Sequence, residues 1–249
     1  MEQRMINDIV TVLRKEWKEV FQLRGIKGYL FNWILMVLLI GVYMPLQVGT
    51  EWFASPMILL LWSWPGLQLI SGLVADAFAG EKERHTLETL LASRLPDASI
   101  FTGKMLTGLI YAGSLFPASL LVAAITLNLA HKTGTGLMFY DPGMLLAVIG
   151  LHWLSLILIA SIGMLVSMKS DSVKSAYQKI AIAILVIALA PSLLIGVVSP
   201  DLKAQFMQWI ALPQLGYGAW IAAAGLFGVD VLLFAIGLAS FKRPRLLTA

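Results

Sequence analysis

The chain has 249 residues, 59% of them hydrophobic and only 13% charged, with 18 Lys and Arg against 14 Asp and Glu. Apolar residues gathered into runs of about 20 exclude an ordinary soluble domain and read as an integral membrane protein. There is no cysteine, so neither a disulfide framework nor thiolate chemistry is available. The basic excess sits at the ends of apolar runs, where lipid head groups lie, which is a topology signal rather than a nucleic-acid patch.

Residues 1–28 are polar and amphipathic and lack the apolar core of a secretory signal. Ile6, Ile9, Val10, Leu13, Trp17, Val20 and Phe21 recur at helical spacing opposite Asn7, Asp8, Thr11, Arg14, Lys15, Lys18 and Gln22. That pattern predicts an interfacial helix lying on the cytoplasmic face of the membrane. Six apolar runs follow, over 29–47, 56–77, 104–130, 144–167, 176–198 and 219–241. Backbone buried in lipid satisfies its own hydrogen bonds, so these are read as six membrane-spanning helices, an all-α integral membrane protein folded as one domain over 1–249. With both termini in the cytoplasm, 16 of the 18 Lys and Arg fall on that side, leaving only Lys132 and Lys203 outside. The positive-inside bias therefore selects this orientation.

Between the second and third spans, residues 78–103 hold the longest unbroken run of charge in the chain, Glu81-Lys82-Glu83-Arg84, which continues as His85-Thr86-Leu87-Glu88. Leu87, Leu90 and Leu91 share one helical face, and Pro96 then stops the helix, with Asp97 placed to cap the next. The expectation is a short cytoplasmic helix between two membrane helices. Further on, residues 199–218 carry Pro200-Asp201 ahead of Leu202, Phe206, Trp209 and Ile210, and end at Pro213. This reads as a short external, re-entrant-like helical segment before the sixth span. Asp230 falls near the middle of that span, where a charge costs roughly 2.5–3.5 kcal/mol unless paired or facing water. His152 in span four, at similar depth, is its candidate partner, either as an interhelical polar pair or on a transport route. Gln68, Asn128 and Ser155 are read as interhelical hydrogen-bonding residues.

The stretch Ala79–Leu106 resembles the permease subunits of type-2 ATP-binding-cassette transporters. The family's Glu-Arg-Gly-Thr-Leu-Glu pattern appears here as Glu83-Arg84-His85-Thr86-Leu87-Glu88, followed by Leu90-Leu91-Ala92 and by Gly103-Lys104. His85 stands where the family usually has glycine. The resemblance implies a dimeric pore in the cytoplasmic membrane of a prokaryotic cell. A second permease copy or a homologue completes the pore, and two separate ATPase subunits dock on a coupling helix between spans two and three. It assigns Glu81, Glu83, Arg84 and Glu88 to charged contacts with the ATPase, and Thr86, Leu87 and Leu90 to seating the helix. ATP and Mg would belong to the partner.

The chain itself shows no Gly-x-x-x-x-Gly-Lys-Ser/Thr loop to cradle phosphates, no His-Glu-x-x-His pair and no Gly-x-Ser-x-Gly elbow. Its three histidines, at 85, 131 and 152, have no metal-ligand spacing. No cofactor, metal or enzymatic activity is expected on this chain, and no nucleic acid among its partners. An autonomous channel or secondary transporter, a scaffold, or less readily an intramembrane enzyme, are the alternatives that composition leaves open. The charged segment 81–91 sets them apart from an ATP-driven permease, which alone among them needs it.

Overall fold

A computed structural model describes residues 2–22, 26–131, 136–197, 201–202, 205 and 217–241. The side chains at 2, 3, 20–22, 26, 27, 29, 188, 190–197 and 217–222 fall outside this description. The described chain is helical, with no strand among the described residues. Helix α1 (Glu2–Gln22) precedes α2 (Ile26–Leu38), which runs through a π-helical turn over Leu39–Tyr43 into α3 (Met44–Val48). Two short helices follow, α4 (Glu51–Ala54) and α5 (Pro56–Trp62). Then come α6 (Trp64–Glu83), α7 (Leu87–Leu91), α8 (Asp97–Ala130), α9 (Pro142–Met168), α10 (Val173–Val197) and α11 (Tyr217–Ser240).

Five stretches among the described residues are long and apolar enough to cross a bilayer: Leu30–Val48, Pro56–Glu83, Asp97–Ala130, Pro142–Met168 and Ala223–Ser240. This is a multi-pass membrane protein. The fifth expected span, 176–198, falls on α10, part of whose side chains lie outside the description. The external segment expected over 199–218 lies outside the described residues except at 201, 202, 205, 217 and 218.

Helix boundaries follow local chemistry. Pro56, Pro65 and Pro142 stand in first turns, where a missing N–H costs nothing. The Asp141 carboxylate caps α9 by accepting from the Met144 N–H at 2.8 Å. At the start of α8 the structure corrects the expected cap: Pro96 is the capping residue, its carbonyl accepting from Ser99 and Ile100, and Asp97 is the first helical residue. The 34 residues of α8 span about 50 Å at 1.5 Å per residue, against about 30 Å of hydrocarbon, so its first turns project beyond the bilayer core.

Small residues set the helix spacing. Gly163 of α9 lies so close to α6 that an added Cβ would fall 2.2 Å from Val74. One turn on, the Ser167 hydroxyl accepts from the Phe78 and Ala79 N–H groups, both at 3.0 Å, and donates to the Ala75 carbonyl at 2.9 Å. Gly113 of α8 admits the Trp153 ring of α9. An aromatic stack of Phe78, Phe101, Phe234 and Phe241 joins α6, α8 and α11. At the opposite end of the bundle, Trp52 Nε1 donates to the Tyr140 hydroxyl at 3.2 Å, which donates to the Leu120 carbonyl at 3.1 Å. There Asn128 brackets the backbone of Met138 through both its amide groups. Its partner is thus a loop rather than another span, and Ser155 bonds within its own helix; of the three expected interhelical residues, only Gln68 joins two helices, by accepting from Tyr177.

Candidate functional site

The charged segment is built from the end of one membrane helix and a short separate helix. Apolar patterning carries α6 beyond the expected end of its span, so Glu81, Lys82 and Glu83 form its last turn. The helix closes with Arg84 as C-cap: the His85 N–H bonds to the Lys82 carbonyl at 3.0 Å and the Thr86 N–H to the Glu81 carbonyl at 2.9 Å. This is a Schellman closure, which requires a left-handed residue just past the cap. His85 supplies it with φ +55°, a conformation in which a Cβ costs about 1–2 kcal/mol and glycine nothing. The glycine usual in the resembling permeases is thereby explained.

Thr86 then caps α7, whose Leu87, Leu90 and Leu91 are all buried in the main core with Ile100 and Phe101, while Glu88 and Thr89 face outward. Glu83 and His85 are exposed as well. Lys82 and Glu83 also hold the next connection, since Lys82 Nζ donates to the Met168 carbonyl at 3.0 Å and Glu83 accepts from the Val173 N–H at 3.2 Å. Arg84 folds back on α6, its guanidinium donating to both carboxylate oxygens of Asp76 at 3.2 and 3.4 Å. Gly80 leaves the room for that bridge, as a Cβ there would strike the Asp76 carboxylate.

Glu81 departs from the expected picture. It is only 3% exposed, and its carboxylate is enclosed rather than presented to a partner. Lys104 Nζ lies 3.1 Å and Lys15 Nζ 3.3 Å from its Oε1, and the Thr86 hydroxyl donates to its Oε2. Lys104 also meets Glu16 at 2.8 Å, and Lys15 meets Glu19 at 3.0 Å. Glu16, Glu19 and Glu81 converge closely enough to suit a cation, and the positive charge between them is that of the two ammonium groups. Burial opposes the Lys15 ammonium, but Glu16, Glu19 and Glu81 outweigh it and hold its pKa above the ordinary lysine range. Within this chain the Glu81 carboxylate thus has an internal set of partners, because α1 lies against the foot of α8 and covers it.

Helix α1 also differs in detail. Its buried residue is Val12, 1% exposed against Gly103, whereas Ile6, Val10 and Trp17 of the expected apolar face are exposed. One side of α1 thus meets the bundle, and the apolar stripe points away from it.

Family comparison places this geometry. A family model for ABC-2 family transporter proteins matches residues 53–211, which include the whole segment 78–103 and more than half of the chain. The chain belongs to the ABC-2 transporter family. No curated protein sequence matches it. Membrane proteins of the ABC-2 family generally work with ABC ATPase subunits. The matched region ends short of α11 and begins after α1, so the ABC-2 match covers Glu81 and Lys104 but not Glu16 or Lys15.

The second candidate site of this ABC-2 chain does not form as a pair. His152 and Asp230 are both buried, at 1% and 2% exposure. Neither ring nitrogen of His152 and neither carboxylate oxygen of Asp230 has a hydrogen-bond partner among the described residues. His152 is turned toward α6 and α8, against Gly66 and the Phe116 ring, whose centroid lies 4.8 Å from its own. Asp230 shares a stripe of α11 with Phe234, Gly237 and Phe241, which packs on Phe101 and Phe78. Similar depth along two helices did not bring them onto facing sides. The Gly103-Lys104 step, quoted above without a role, carries a further signal: a lysine set inside an apolar run directly after a glycine. A charge in that setting calls for a buried counter-ion, and two are present.

Proposed function

We propose that this protein is the membrane-spanning permease of an ATP-driven exporter, working as a dimer with two separate ATPase subunits. It spans the membrane six times, α10 being the fifth span, with both termini and segment 78–103 in the cytoplasm of a prokaryotic cell. The observation that carries this reading is the form of segment 81–91 within a matched ABC-2 region: a rigidly closed helix end and a short helix seated by Leu87, Leu90 and Leu91. Both leave Glu83, His85, Glu88 and Thr89 exposed. ATPase movement would be received there and passed to α6 and α8, rocking the bundle between inward- and outward-open forms. The chain does no covalent chemistry of its own, and ATP and Mg are bound by the partner.

The dimer is supported by a groove of about 330 Å³ between α6 and α10, lined by Trp64, Gln68, Ser71 and Tyr177 among apolar neighbours. The exposed Tyr177 hydroxyl donates to Gln68 Oε1 at 3.2 Å there. A polar pair on the outside of a membrane bundle suits a second copy or an aqueous path better than acyl chains. The exposed stripe of Ile6, Val10 and Trp17 on α1 suits the head-group region of the cytoplasmic leaflet.

Co-purification from native membranes tests the reading, with mass spectrometry and an ATPase assay on the wild type and on Glu83→Ala/Glu88→Ala. A stoichiometric ATPase, lost from the normally inserted variant, is the expected result. A wild type that brings down no ATPase would turn the assignment to an autonomous channel or secondary transporter.

A further inference from the structure

Gly103-Lys104 has no part in the docking surface, yet the structure gives both residues a specific task. A Cβ at Gly103 would lie 2.6 Å from the Val12 side chain and 3.3 Å from the Ile9 carbonyl, so α1 approaches α8 as closely as only glycine permits. The next residue fills the joint. The Lys104 side chain is 2% exposed, with Nζ 2.8 Å from Glu16 on α1 and 3.1 Å from Glu81 on α6. It also stands 5.8 Å from the centre of the Phe78 ring. Glu81 is bonded in turn to Thr86 at the head of α7. One ammonium on α8 therefore reaches α1 and α6 directly and α7 through one carboxylate. The joint contains the carboxylates of Glu16, Glu19 and Glu81 against the ammonium groups of Lys15 and Lys104, and Lys15 is 42% exposed. Without Lys104 the negative charges would face each other with one partly exposed cation between them.

We propose that Lys104 is a positioning residue, a buried ionic clamp that holds α1 and the head of α7 as one body against the foot of α8. The surface offered to the ATPase is then composite: it joins the exposed row Thr11, Lys15 and Lys18 of α1, which continues from the edge that meets Glu81, to the exposed Glu83 and Glu88. Only this last step rests on the permease reading.

Hydrogen–deuterium exchange of the full chain in lipid nanodiscs tests the clamp without reference to any ATPase. In Lys104→Met, the amides of residues 5–19 should exchange at least tenfold faster than in the wild type, with Lys104→Arg restoring protection. Unchanged exchange in Lys104→Met overturns the clamp. Equal loss in Lys104→Met and Lys104→Arg overturns its ionic character, leaving a packing role. If Lys104→Met does not insert, Glu16→Gln on α1 is measured in its place, with at least threefold faster exchange expected and no change overturning the proposal. ATPase recovered with Lys104→Met should fall at least fivefold; full recovery on a loosened α1 overturns the composite surface. Absence of ATPase from the wild type would defeat the permease reading while the exchange result still decides the clamp.

Discussion

Glu81 and Asp230 are two carboxylates buried to nearly the same degree in one membrane protein, and they are held in opposite ways. Glu81 has two ammonium groups and a hydroxyl within reach, whereas both oxygens of Asp230 are without a partner among the described residues. Burial alone therefore says little about what a charged residue does. A buried ion contributes to a fold only through the groups that replace its water. The end of the bundle that we assign to the cytoplasm is joined by charge, and the middle of α11 carries a carboxylate with no such partner among the described residues.

The contrast can be tested by removing each group. Glu81→Ala leaves Lys104 half-compensated in a dry setting and should cost about 3–5 kcal/mol, read as a lowered thermal midpoint of the purified protein in detergent. Asp230→Leu should do the reverse, leaving stability unchanged or raising it by about 1–3 kcal/mol, since an unpartnered polar group is replaced by an apolar one. A loss as large as that of Glu81→Ala would show that Asp230 has a partner in the assembled protein. If Asp230→Asn inserts and assembles normally but transport stops, the carboxylate lies on the route. His85→Gly relieves the left-handed turn at the end of α6 and should gain about 1 kcal/mol, measured by the same midpoint. Removing the exposed Asp76–Arg84 bridge with Arg84→Gln should change stability by at most about 0.5 kcal/mol. A larger loss would mean that exposed charge, like buried charge, holds this end together.

What could be read from the sequence was what repeats or what is local. The apolar runs predict the membrane helices, the spacing of Leu87, Leu90 and Leu91 predicts the seated face of α7, and Pro96 predicts the break before α8. The enclosure of Glu81 could not be read, because its cations come from positions 66 residues before and 23 after it. Only the packing of α1 and α6 on α8 brings them together. The same limit separated His152 from Asp230: depth along a helix follows from counting residues, but the direction a side chain faces depends on how its helix is rotated against its neighbours. Segment 83–88 looked like a row of outward charges, yet Arg84 turns back to Asp76 and Glu83 caps the start of α10.

The length of α8 gives the molecule a mechanical property. Its foot is gripped by α1, α6 and α7, while its far end, near Leu127, lies beside Trp52 and Tyr140 in the other core cluster. A rod of 34 residues, about 50 Å long, turns a 10° tilt at its foot into a displacement of about 9 Å at its tip. Pro117 sits between the two arms, where its ring denies the Gly113 carbonyl its helical donor. A small stroke at one membrane face could thus open a gap of molecular width at the other, with the lever jointed near its middle.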